Sequence, residues 1–172
     1  MSANRLITIT ARNLLFAALL LSLAACSGNT YKVHTVDFTK PAPPAKDQVQ
    51  VYVFREDTAF ASARKFAIIA NDTVMSVLLR GTFSTFTLPD DEYEIVAHMS
   101  PSPVMHHRIN QRGGQTVYLY CNVGYASGMY MEEITAERAA ELMATYKYTE
   151  IERKGVKTPV NYKDHYDKLY PK

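Results

Sequence analysis

Between Gln48 and Val123 the apolar residues recur at every second position in short runs, a period that builds strands rather than helices. Val49, Val51 and Val53 alternate with Gln50, Tyr52 and Phe54. Lys65–Ala70 and Thr73–Leu78 flank Asn71-Asp72, two residues that tolerate positive φ, so a hairpin with a two-residue turn is expected there. Further runs follow at 82–88, 93–99, 104–110 and 116–123, separated by Pro89-Asp90-Asp91-Glu92, Ser100-Pro101-Ser102-Pro103 and Gly113-Gly114. Seven short strands with turns at this spacing predict a mainly β fold, an antiparallel β-sandwich of about seven strands.

One helix is expected after them. Thr135 suits an N-cap, Glu137 suits the first turn, and Ala139, Leu142, Met143 and Tyr146 fall on one face. A helix this short does not stand alone in water, so it must pack on the sheet. The sandwich domain with its terminal helix is therefore placed at residues 48–146. Residues 26–47 carry Lys40-Pro41-Ala42-Pro43-Pro44-Ala45-Lys46 and read as an extended tether, reaching up to roughly 60 Å. Residues 147–172 read as a Lys/Tyr-rich tail without a core, a solubilising segment or, through its excess of positive charge, one suited to an anionic lipid surface or an acidic partner.

The N-terminus carries an address. Arg5 and Arg12 precede a run of about ten residues, Leu14 to Leu23, too short for a membrane span of roughly 20. Leu23-Ala24-Ala25-Cys26 closes it. This order resembles the signal peptide of bacterial lipoproteins. The resemblance implies cleavage between Ala25 and Cys26, removal of residues 1–25 and acylation of Cys26. Two or more acyl chains anchor a protein stably where one does so only marginally. Ser27 after the cysteine resembles outer-membrane sorting in that family.

Residues 26–172 contain 17 basic and 17 acidic side chains, because Arg5 and Arg12 supply the whole excess of +2. A neutral chain lacks the basic footprint of a nucleic-acid binder. Cys121 shares the parity of Val117, Leu119 and Val123 and is expected in the core, the alternative being a reactive or disulfide-forming thiol.

The strand and turn segments Val51-Tyr52-Val53-Phe54-Arg55, Ile68 to Val74, Gly81-Thr82-Phe83, Leu88 to Tyr93 and Gly113 to Tyr118 resemble a family of small bacterial lipoproteins with a domain of unknown function. Asp90-Asp91 stands where that family carries a Pro-Pro-Gly-like turn. The resemblance implies a β-sandwich on a lipid anchor and transfers no activity.

Candidate sites are few. Tyr118 and Tyr120 share a face opposite Cys121, in a chain of 12 tyrosines and no tryptophan. They form either a binding face for sugar rings or protein, or a surface covered by the helix. His106 and His107 point to opposite faces and cannot chelate together. His98 and His106 are the weak candidates for a metal. The acidic turn 90–92 lacks the ligand spacing of a calcium loop. No catalytic residue and no cofactor is assigned, since Gly-x-Ser-x-Gly, phosphate-loop and Cys-x-x-Cys patterns do not occur. The expected role is a non-catalytic, lipid-anchored binding or assembly module with an envelope protein or glycan as partner. The alternatives are a glycan- or metal-binding module and, behind it, an envelope hydrolase.

Overall fold

The computed structural model describes residues 31–71, 73–99, 102–110, 112–124 and 128–153. The expected signal segment 1–25, Cys26 and the residues after 153 lie outside them. The described chain is mainly β, with one helix and two sheets of mostly antiparallel strands. In chain order the strands are β1 (Tyr31–Val36), β2 (Gln48–Arg55), β3 (Phe66–Ala70), β4 (Thr73–Leu78), β5 (Thr82–Pro89), β6 (Tyr93–Met99), β7 (Ser102–Ile109), β8 (Thr116–Gly124), β9 (Gly128–Glu133) and β10 (Lys147–Arg153). Helix α1 (Ala136–Met143) lies between β9 and β10. The strand count corrects the expectation of seven. The additional strands are β1, inside the expected tether, β9 before the helix, and β10, inside the expected tail.

One sheet has the order β1-β10-β5-β2-β8-β9 and the other β4-β3-β6-β7. Two neighbouring pairs, β2 with β8 and β5 with β10, run parallel. This departs from an all-antiparallel arrangement for a topological reason. Between β2 and β8 the chain builds the β3–β4 hairpin, adds β5 on the other side of β2 and builds β6 and β7, and such a long crossover permits parallel pairing where a tight hairpin does not. The expected hairpin forms between β3 and β4: Ala70 pairs with Thr73, and Asn71 takes φ +49°.

The alternation in β2 explains the layering. Val49, Val51 and Val53 face a core shared with Phe66, Ile68, Leu78, Ile95, Ala97 and Ile109 from the second sheet. Tyr52 and Phe54 face the other way and are also buried, in a second cluster with Phe83, Ala139 and Leu142. A central strand buried on both sides needs two covers. The four-stranded sheet is one and α1 is the other. The helix starts as its sequence predicts, with the Thr135 side chain accepting a hydrogen bond from the Arg138 N–H at 3.2 Å.

Part of the outward face of the second sheet is covered as well. Ile69 and Val96 pair across β3 and β6 and pack with Val74 and Val77. Val33 of β1 and Ile151 of β10, themselves cross-strand partners, close over them. β10 joins β5 for only two residues, Lys147 opposite Thr82 and Tyr148 opposite Phe83, before it continues with β1 onto this face. The buried Thr149 hydroxyl donates to the Phe83 carbonyl at the point of departure, 3.2 Å away.

Three loops meet at one end of the β2–β5–β8 group. The Asp90 N–H donates to the Asp47 carbonyl at 2.9 Å, and Asp90 Oδ1 accepts from the Arg112 N–H at 2.7 Å. Gly114 N–H donates to the Gln48 carbonyl at 2.8 Å. A Cβ on Gly113 would lie 2.1 Å from the Lys46 carbonyl oxygen and 2.6 Å from Asp90 Oδ2. The first of these neighbours is backbone and cannot swing aside. Gly113→Ala is therefore expected to destabilise the fold by about 1–3 kcal/mol, the range for overpacking, with Gly114→Ala less damaging sterically but strained by its φ of +75°. Urea unfolding of the two variants measures both effects.

Candidate functional site

The outward face of the six-stranded sheet concentrates the aromatic residues. Tyr52 and Tyr118 sit on adjacent strands with ring centroids 5.2 Å apart, and Phe54 stacks on Phe83 at 5.3 Å. Phe38, two residues after β1, meets Phe83 edge-on at 5.0 Å and Tyr148 at 5.1 Å. Such contacts contribute about 0.5–1.5 kcal/mol each beyond burial. α1 then lays Ala139 and Leu142 over this floor, with Met143 and Tyr146 beside them.

Tyr118 and Tyr120 belong to this covered cluster. Both are half-buried. Burial pushes the Tyr120 phenol well above its usual range, and its hydrogen bond with Tyr146 raises it further. Tyr146 in turn accepts from the Asp57 N–H at 3.1 Å. The pair therefore packs with the helix cluster while each ring keeps part of its surface in solvent. The Tyr52 and Tyr118 rings are tilted at 31° to each other.

The open aromatic surface lies beside them instead. A cleft of about 700 Å³ runs between the end of β1, the end of α1 and the start of β10. Phe38, Phe83, Tyr146 and Tyr148 line it, and Asp37 and Lys147 bring opposite charges to it. Sequence reasoning missed this site because Phe38 lies in the stretch assigned to a tether and Tyr148 in the stretch assigned to a tail. The signal available was an isolated aromatic on each side of the Pro-rich and Lys-rich segments.

The histidines are separated by the register. His106 lies opposite Val96 and His98 opposite Val104, so the two are diagonal neighbours on the face turned away from the core. His98 is buried, whereas His106 is exposed with its Nδ1 2.9 Å from Glu94 Oε1. His107 points to the opposite face, 3.8 Å from Glu133, which Arg112 grips through both oxygens at 2.6 and 2.8 Å. Among the described residues no group of three or more His, Cys, Asp or Glu side chains is arranged to hold a metal ion. Among them, too, no helix is long and apolar enough to cross a membrane.

Arg55, quoted above only as part of a strand motif, proves to be a fully buried cation. Its guanidinium lies 4.1 Å from the centre of the Phe66 ring and donates to the Ala61 carbonyl at 2.7 Å, the Leu78 carbonyl at 3.3 Å and the Arg64 carbonyl. Burial lowers it to about 10, which leaves it charged at neutral pH. A planar, weakly hydrated cation suits such a site better than an ammonium. It ties the 56–65 loop to the end of β4. No protein-family model, curated protein or solved structure matches this chain.

Cys121 is fully buried in the shared core. Burial pushes its thiol up to about 12, against a smaller opposing effect of Arg55. Thiolate is the reactive form. The folded protein at pH 8 is therefore expected to alkylate at Cys121 at least about a hundredfold more slowly than the protein in denaturant, where a thiol titrates near 8.5. Iodoacetamide labelling followed by mass spectrometry of the Cys121 peptide measures the ratio.

Proposed function

We propose that this chain is a lipid-anchored protein of a bacterial cell envelope, most simply of the outer membrane. Its two-sheet fold, read as a β-sandwich with a helical cover, acts as a non-catalytic binding or assembly module toward an envelope protein or glycan. On this reading it groups with the small lipoproteins of unknown function that its strand and turn segments resemble. The observation that carries the proposal is Leu23-Ala24-Ala25-Cys26 at the end of a short apolar run behind two arginines.

Four carboxylates of the described residues serve the fold or its surface in this reading. Glu56 accepts the Val123 N–H, Asp90 accepts the Arg112 N–H, Glu133 is held by Arg112, and Glu94 meets His106. Each is engaged in holding backbone or closing a surface pair. In this proposal the spacer after the anchor is short. β1 begins at Tyr31, so four residues, Ser27–Thr30, separate Cys26 from the first strand. The five residue-to-residue steps from Cys26 to Tyr31 span at most about 18 Å, against the roughly 60 Å expected of a tether running to residue 47.

Cells expressing the protein and grown with labelled palmitate are expected to show label on the unaltered chain. Cys26→Ala should carry none and should retain residues 1–25 by mass. Equal labelling of the two proteins would defeat the anchor.

A further inference from the structure

We propose that the cleft between the end of β1, α1 and β10 binds a neutral glycan, its sugar rings laid against Phe38, Tyr146 and Tyr148 and its hydroxyls held by Asp37 and Lys147. This rests on the reading of the domain as a binding module and names the site and ligand class for it. Three observations carry it. The first is size: about 700 Å³ falls within the range of roughly 300–1,000 Å³ for ligand clefts.

The second is the lining. Phe38, Tyr146 and Tyr148 are half-buried, so each ring is held by packing and still reaches solvent. Phe38 is braced by Phe83 and Tyr148 at 5.0 and 5.1 Å. Packed aromatic rings that line a cleft and still reach solvent suit the apolar C–H patches of a pyranose. An acyl chain asks for a dry aliphatic tunnel, and the aliphatic side chains lining this cleft are Val36 and Met143 alone.

The third is charge. Asp37 and Lys147 are exposed and of opposite sign. Together they favour neither an anionic nor a cationic ligand. Each makes strong, charge-assisted hydrogen bonds to neutral hydroxyls, the carboxylate accepting and the ammonium donating. The site joins parts from both ends of the described chain, so it exists only once β1 and β10 have paired.

The test titrates full-length protein with chitotetraose and, separately, maltotetraose by isothermal titration calorimetry, with lauric acid as the aliphatic probe. Saturable binding of at least one sugar is expected. Asp37→Ala and Lys147→Ala should each weaken it about tenfold or more with an unchanged melting temperature, since both side chains are exposed. Saturation transfer from the aromatic rings to sugar protons in the unaltered protein gives a readout independent of any variant. Absence of saturable sugar binding at millimolar concentration, sugar binding indifferent to both substitutions, or a cleft that takes lauric acid and neither sugar would each overturn the proposal. Palmitate labelling of the unaltered chain is measured alongside: sugar binding by an unaltered chain that takes up no label isolates a failure of the anchor, and labelling without sugar binding isolates a failure of the glycan site.

Discussion

The pairing of β1 with β10 is the interaction on which the rest of this structure turns. It joins residues more than a hundred positions apart in six consecutive pairs, from Tyr31 opposite Arg153 to Val36 opposite Tyr148. Its apolar side places Val33 and Ile151 on the outward face of the four-stranded sheet, where Ile69 is fully buried. At its other end it carries Phe38 onto Phe83 and starts β10 against β5. Remove the pair and two surfaces lose their covers at once. Closing so long a loop costs chain entropy that grows only slowly with length, and the two apolar contacts and the ladder of backbone bonds offset it together. Exposed ion pairs such as His34 with Glu152 at 3.1 Å add little by comparison.

Seen this way, the molecule is a set of nested covers around β2. The valines of that strand require the second sheet, and its aromatic residues require α1. The second sheet in turn exposes Ile69 and Val96, which require β1 and β10. Each cover is short, and none is stable alone. The cleft arises where two covers, the helix and the terminal strand pair, meet without closing. A site made at such a junction depends on the whole fold and not on a local motif, in keeping with the absence of a recognisable one.

Much of this was legible in the sequence. Strict alternation over Val49–Val53 and over Val117–Val123 gives both strands and their faces, and Cys121 follows from parity alone. Asn71-Asp72 marks its hairpin, and Thr135 with Ala139 and Leu142 marks the helix and its buried face. What escaped has a common physical cause. The inward residues of β10 are Thr149 and Ile151, and β1 offers Val33 amid Lys32 and His34, so neither strand carries a hydrophobic period of its own. Their strand character comes from each other. Gly128–Glu133 is likewise a short edge strand whose one buried residue is Met131. The parallel pairing of β2 with β8 has no local signature, because register across a crossover is set by the core and not by a turn. Tyr118 and Tyr120 were placed on the right face, but whether a face is covered depends on a helix that returns to it. The cleft required Phe38 and Tyr148 together, and each lay in a stretch whose composition spoke of an extended chain.

The same pairing shapes the functional proposal, because it moves the start of the folded domain to Tyr31 and so shortens any spacer after Cys26. The direct measurement is amide hydrogen exchange on the full-length protein, resolved over residues 31–36 and 148–153. The account predicts that both segments are protected well above unfolded-chain rates and lose protection together as denaturant rises, since each protects the other. Exchange of residues 31–36 at the rate of an open tether, with 148–153 free as a tail, would contradict it.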